Sequence, residues 1–136
     1  MSTAKKIIIV DDDAAFSESN RDLLEACGYE VYAASNGDDG VRLAREILPD
    51  LMILDVMMRT DTEGLEVARR IAGIPELSRM GVLLVTGVTR AMRLPNRLMP
   101  DEKWLPVDRV LEKPIAPDHL ILEIERVLKM RNKSAP

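Results

Sequence analysis

Apolar residues follow two alternating patterns along this chain, short unbroken runs and longer stretches with helical spacing. The unbroken runs are rich in Ile, Val and Leu, which is typical of strands buried on both faces of a sheet. The longer stretches place apolar residues three and four positions apart, which favours amphipathic helices. The runs predict strands at about Lys5–Val10, Glu30–Ala34, Leu51–Leu54, Val82–Val85 and Arg109–Leu111.

Helices are predicted between and after these strands. The stretches with helical spacing are Ala14–Cys27, Asn36–Leu48, Gly64–Ile71 and Pro117 to about Met130. Gly28 supplies a C-terminal stop for the first helix, and the Asn36 side chain can cap the second. Strands that alternate with helices imply right-handed βαβ units, so we predict a parallel sheet covered by helices on both faces.

Aspartates directly follow two of the predicted strands. Asp11, Asp12 and Asp13 come after the first strand, and Asp55 comes after the third. Ligands of open α/β folds bind at the carboxyl ends of the strands, so these acids would share one pocket. At about 5 Å and an effective dielectric near 20, each like-charged pair costs roughly 3 kcal/mol, which a bound cation relieves.

Carboxylate oxygens are ligands that Mg²⁺ prefers, so the acid pocket indicates a magnesium site. The alternative is that acids only terminate strands because turns are polar. Asp13 is expected to cap the following helix rather than to bind metal.

Composition narrows the class of protein. The 136 residues suit one domain, placed at residues 1–130 and followed by a polar tail at residues 131–136. Net charge is −4, which does not favour direct contact with nucleic acid or an anionic membrane. Cys27 is the only cysteine, so no intramolecular disulfide can form and we expect a cytoplasmic location. No apolar stretch reaches membrane-spanning length.

Four short motifs stand at the carboxyl ends of predicted strands. They are Val10-Asp11-Asp12, Leu54-Asp55-Val56-Met57-Met58, Val85-Thr86-Gly87 and Leu111-Glu112-Lys113-Pro114-Ile115. One of these motifs alone is weak, but four in this order are specific. With them, nearly the whole chain resembles the receiver domain of two-component response regulators. The resemblance implies a flavodoxin-like, doubly wound sheet of five parallel strands in the order 2-1-3-4-5.

The resemblance also implies a function. Asp55 would accept a phosphoryl group from a sensor histidine kinase or a phosphotransfer protein, and the domain would then signal to an unknown downstream protein. The implied ligands are Asp11, Asp12, Asp55 and the Met57 backbone carbonyl for Mg²⁺, and Thr86 and Lys113 for the phosphoryl oxygens. These roles agree with the chemistry, because a phosphoryl group in transfer carries negative charge on its equatorial oxygens. Such a domain is not an enzyme for an external substrate.

Two segments depart from the pattern of the family. Arg59–Glu63 is one residue longer than usual and lacks the usual proline, so Asp61 or Glu63 could reach the metal instead of forming a surface loop. The segment Val88–Asp108 is also long and contains three prolines, which cannot all lie inside one regular helix. We therefore predict an atypical fourth helix region.

The switch residues of the family are altered as well. Val110 stands where an aromatic side chain usually reports phosphorylation, and Trp104 lies just before the fifth strand. Both are switch candidates, with a rearrangement of the long segment before the fifth strand as the predicted switch.

Two other classes of protein share some of these residues. A phosphatase of the haloacid dehalogenase type also uses a strand-end aspartate and Mg²⁺, but normally has a second aspartate where this chain has Met57. A phosphorylation-independent interaction module with a receiver fold would fit the altered switch positions. Such modules usually lose an acid or the lysine, whereas this chain keeps both. A phospho-accepting receiver is therefore our prediction, with the interaction module as the alternative.

Overall fold

The computed structural model describes residues 4–58, 60, 62–87 and 106–134. Its elements, in chain order, are β1 (Lys6–Val10), α1 (Ala14–Ala26), β2 (Glu30–Ala34), α2 (Gly37–Ile47), β3 (Leu51–Asp55), α3 (Glu63–Ala72), a 3₁₀ turn (Pro75–Leu77), β4 (Gly81–Thr86), β5 (Arg109–Glu112) and a C-terminal helix (Pro117–Ser134). The predicted strands and the first three predicted helices agree with these bounds to within about one residue, as helix and strand ends usually do. The C-terminal helix is longer than predicted and ends at Ser134 rather than near Met130.

The strands form one parallel sheet in the order β2-β1-β3-β4-β5, which confirms the predicted topology. Val10 at the end of β1 is level with Leu54 of β3, and Asp55 is level with Val85 of β4. This register brings the residues that end β3 and β4, and those that follow β1, to one edge of the sheet. Those residues include the aspartates and the threonine that the sequence marks as site residues.

The hydrophobic core has two layers, one on each face of the sheet. Helices α2 and α3 cover one layer, and α1 and the C-terminal helix cover the other. Ile8 and Val10 point into the first layer, whereas Ile7 and Ile9 point into the second, and all four are fully buried. Burial on both faces explains why the strands appear in the sequence as unbroken apolar runs.

The predicted caps are confirmed. The Asp13 carboxylate accepts a hydrogen bond from the Phe16 N–H at 3.2 Å and begins α1. The Asn36 side chain accepts one from the Asp39 N–H at 2.9 Å and begins α2. Gly28, with a φ of 94°, follows α1 in the left-handed conformation that glycine favours.

Two predictions fall wholly or largely on residues 88–105, which lie outside the described residues. They are the atypical fourth helix region and the role of Trp104. Of the helices that the structure describes, none combines the length and the apolar character needed to cross a membrane.

Candidate functional site

The structure brings Asp11, Asp12 and Asp55 together at the carboxyl edge of the sheet. One carboxylate oxygen from each lies within 4.8 Å of those from the other two. Asp11 and Asp55 are buried, and Asp12 is exposed. The three carboxylates offer only oxygen ligands, so this pocket could hold a metal ion.

A glycine at the start of α3 fixes the end of β3. The Gly64 N–H donates a hydrogen bond to the Val56 carbonyl at 2.8 Å. A Cβ atom at Gly64 would overlap the backbone carbonyl of Asp55, so only glycine allows α3 to begin this close to the strand. The packing of these two backbones holds Asp55 in place.

Lys113 supplies the positive charge of the pocket. Its Nζ atom donates a hydrogen bond to Asp11 Oδ2 at 2.9 Å and lies 3.9 Å from Asp55 Oδ1. The same atom lies 4.1 Å from the centre of the Phe16 ring, a distance at which a cation and an aromatic face attract. Sequence reasoning did not predict that Phe16 lies against the lysine.

Backbone hydrogen bonds fix the positions of Lys113 and of the Asp11 carboxylate. The Lys113 N–H donates to the Thr86 carbonyl at 2.8 Å, and the peptide bond from Lys113 to Pro114 is cis. Asp11 Oδ1 accepts a hydrogen bond from the Asp13 N–H at 2.9 Å. With Lys113 on its other oxygen, Asp11 has a donor on each oxygen and therefore a fixed orientation.

The pKa of Asp55 is raised from 3.8 to about 7, and burial is the largest cause. Repulsion from Asp11 and Asp12 also acts to raise the pKa, whereas Lys113 and a hydrogen bond from the backbone of Met57 act to lower it. The net effect is that the Lys113 ammonium does not compensate for burial and two neighbouring acids. A bound cation would favour the charged form of Asp55.

Thr86 ends β4 next to Val85, the strand partner of Asp55. Its side chain is buried, and its hydroxyl has no hydrogen-bond partner among the residues that the structure describes. An unpaired buried hydroxyl costs about 1–3 kcal/mol, so a group that accepts a hydrogen bond from Thr86 would recover that energy.

Replacing Thr86 with valine is expected to raise the free energy of unfolding of the unphosphorylated protein by ~1 kcal/mol, because a methyl group replaces an unpaired buried hydroxyl. Urea unfolding measures the change. Thr62→Val is the control, since the Thr62 hydroxyl is near the surface and 3.4 Å from Glu66. A Thr86→Val variant that is less stable than the wild type would show that the hydroxyl already has a partner.

Glu63 lies neither in a surface loop nor at the acid pocket, the two alternatives that the sequence left open. It is the first residue of α3, is buried, and accepts a hydrogen bond from the Gly37 N–H at 2.8 Å. Asp61 lies outside the described part of the chain. Sequence reasoning missed the position of Glu63, because nothing local shows that α2 and α3 begin side by side.

Val110 is partly buried and pairs with Leu84 in the sheet. It packs against the core layer beneath α2 and α3. The switch roles of Val110 and Trp104 stay predictions.

Comparison with known proteins places this geometry in a family. The sequence model of the response regulator receiver domain matches residues 7–125. Over 82 residues the chain is 38% identical to the polar-differentiation response regulator DivK of Brucella anthropi, covering 60% of this chain and 66% of DivK. Over 81 residues it is 40% identical to the phosphate regulon transcriptional regulatory protein PhoB of Rhizobium meliloti, covering 60% of this chain and 35% of PhoB. The chain thus matches only part of the length of these curated relatives.

A solved structure aligns with nearly all of this chain. The crystal structure of a CheY-like response regulator receiver domain protein from Methanospirillum hungatei has a TM-score of 0.80 and 26% sequence identity. The alignment covers 98% of this chain and 100% of that one. The sheet order and the helices on both faces are therefore those of the CheY-like fold.

Proposed function

The chain belongs to the family of response regulator receiver domains, and from this we propose that Asp55 accepts a phosphoryl group from a histidine kinase or a phosphotransfer protein. The proposal rests on the groups that surround Asp55. Its buried carboxylate lies 3.9 Å from the Lys113 ammonium and beside two further acids. A strand-end carboxylate with a raised pKa, beside the Lys113 ammonium, suits a nucleophile that becomes active when a metal joins it.

In the proposed step, a carboxylate oxygen of Asp55 attacks the phosphorus of a phosphohistidine. The new O–P bond forms as the N–P bond breaks, and the donor imidazole leaves with the electron pair and takes up a proton. Lys113 neutralises charge on one phosphoryl oxygen. The Thr86 hydroxyl donates a hydrogen bond to another, which gives this buried group the partner that it lacks.

The metal in this proposal is Mg²⁺. Asp11, Asp12, Asp55 and the backbone carbonyl of Met57 would hold it, and these are the oxygen ligands that a small hard cation prefers. When bound, Mg²⁺ supplies positive charge to the phosphoryl oxygens and offsets the repulsion among the three acids. Asp12 is the exposed acid of the three and leaves the pocket open to incoming metal.

An open groove lined in part by Lys113 offers the phosphoryl donor a docking surface. It has a volume of about 930 Å³ and lies between α1 and the segment that follows β5. Phe16, Leu23 and Ile115 make its wall apolar, and Lys113 lies at the end nearest the acids. Such a groove suits the apolar face of a helix carrying the phosphohistidine.

We propose that a downstream protein reads the phosphorylated state, without direct contact of this domain with nucleic acid or membrane. On this proposal the domain promotes its own phosphorylation and acts on no external substrate. The added charge at Asp55 is the change that the downstream protein would detect.

Acetyl phosphate tests the proposed function without a cognate kinase. With Mg²⁺ present, we expect the intact mass of the wild type to rise by one phosphoryl group. This label should be lost more readily in acid than the label of a phosphoserine. Chelation of the metal should prevent labelling, because the pocket then repels the donor. A folded protein that binds Mg²⁺ but is never labelled would favour the phosphorylation-independent interaction module.

A further inference from the structure

A buried carboxylate joins the starts of α2 and α3. Glu63 Oε2 accepts a hydrogen bond from the N–H of Gly37, the first residue of α2, at 2.8 Å. The first N–H groups of a helix have no partner within the helix, and its N-terminus carries a partial positive charge. The Glu63 carboxylate satisfies one of these groups and is itself stabilised by the helix dipole.

The contact depends on the absence of a side chain at Gly37. A Cβ atom there would lie 2.9 Å from Glu63 Oε2 and 2.5 Å from a methyl carbon of Val67. Any larger residue would therefore push the carboxylate away from the start of α2. Gly37 and Glu63 are both buried and pack closely against each other.

Glu63 is also joined to the strand that carries the phosphoacceptor. Its neighbour Gly64 donates a hydrogen bond to the Val56 carbonyl at 2.8 Å, and the Val56 N–H donates to the Val85 carbonyl at 2.9 Å. Val56, where the backbone leaves β3, is thus held by β4, and the start of α3 is held through Glu63 and Gly64. Met57, whose carbonyl is a proposed metal ligand, lies on this backbone.

Building on the proposed function, we propose that Glu63 is a positioning residue for the metal pocket. Held at the N-terminus of α2, its carboxylate fixes the end of the backbone that carries Met57 and so sets where the Met57 carbonyl lies. In this proposal Glu63 acts through the backbone and not by contact with a reacting atom. Its loss weakens Mg²⁺ binding although Asp11, Asp12 and Asp55 are unchanged.

Mg²⁺ titration by calorimetry tests this role without any phosphoryl donor. We expect Glu63→Ala to weaken Mg²⁺ binding by about tenfold, the range in which residues that hold metal ligands usually act. Glu63→Gln keeps an oxygen that can accept from the Gly37 N–H, so it should bind Mg²⁺ nearly as the wild type does. Glu66→Ala is the matched control, because it removes the same charge from the exposed side of the same helical turn.

A second variant keeps the test decisive if Glu63→Ala does not fold. Gly37→Ala displaces the carboxylate from the opposite side and should cause the same loss of Mg²⁺ affinity. The proposal is overturned if folded Glu63→Ala or Gly37→Ala binds Mg²⁺ with wild-type affinity, even where its stability is lower. A wild type that binds no Mg²⁺ also overturns it, whereas a wild type that binds Mg²⁺ without accepting phosphate defeats only the proposed function.

Discussion

The Asp55→Asn variant is expected to accept no phosphoryl group from acetyl phosphate under conditions that label the wild type. The amide oxygen of asparagine is a poor nucleophile, and Asp55 is the proposed phosphoacceptor, 3.9 Å from the Lys113 ammonium. The change is nearly isosteric and removes a buried charge. The variant should therefore stay folded, so that a missing label reports lost chemistry rather than lost structure.

Asp13→Asn provides the control for this experiment. Asp13 is exposed, lies next to the pocket and caps α1, and asparagine caps a helix about as well as aspartate. Its removal lowers the local negative charge by one without changing the proposed ligands, so labelling should persist. Intact-mass measurement of both variants separates the two results. A label that remains in Asp55→Asn would place the phosphoacceptor at another residue.

The acid pocket could be predicted because its residues lie at the ends of strands. In a parallel sheet all strands end at the same edge, so Asp11 and Asp55 needed only a correct strand assignment to be placed together. The apolar runs gave that assignment, since strands buried on both faces consist mostly of apolar residues. The sheet order followed from the family resemblance and not from the runs alone.

The contacts that the sequence did not predict all join distant parts of the chain. Glu63 meets Gly37 across 26 residues, and Lys113 reaches Asp11 across 102 residues. Periodicity shows which face of an element is buried, but not which element packs beside it. The position of Glu63 therefore needed the three-dimensional arrangement of α2 and α3, and so did the ring of Phe16 beneath Lys113.

The longer C-terminal helix has a similar explanation. Arg131 lies beyond the predicted end of this helix and binds both carboxylate oxygens of Asp108, at 2.9 and 3.0 Å. Asp108 in turn accepts a hydrogen bond from the Val82 N–H at 2.7 Å. Paired contacts with the sheet stabilise a helical turn that the polar sequence after Met130 does not predict by itself.

The stability of the metal-free protein is expected to fall as pH rises, because of Asp55. The pKa of Asp55 is about 7 in the folded protein, compared with an ordinary value of 3.8. The folded state therefore holds the proton more tightly than the unfolded state does. The stability that Asp55 contributes is complete below about pH 4 and is lost as pH rises to about 7, with an upper limit of roughly 4 kcal/mol. Urea unfolding across this range, with a chelator present, measures the loss.

Asp55→Asn isolates this contribution, because asparagine does not titrate. The difference in the free energy of unfolding, variant minus wild type, should grow by several kcal/mol between about pH 4 and about pH 8. If the free energies of unfolding of the two proteins changed in parallel with pH, Asp55 would be ionised in the folded state at little cost. Burial and neighbouring acids would then not raise its pKa.

Mg²⁺ is expected to reverse the loss, and most strongly at high pH. The metal binds the ionised carboxylates, so protons compete with it at low pH and not at high pH. Added Mg²⁺ should therefore stabilise the wild type more at about pH 8 than at about pH 5, by an amount that grows with its concentration relative to its dissociation constant. Asp55→Asn should gain less, because it keeps only two of the three carboxylates. Equal stabilisation of both proteins at both pH values would mean that Mg²⁺ binds elsewhere, since a site built on Asp55 must depend on its charge.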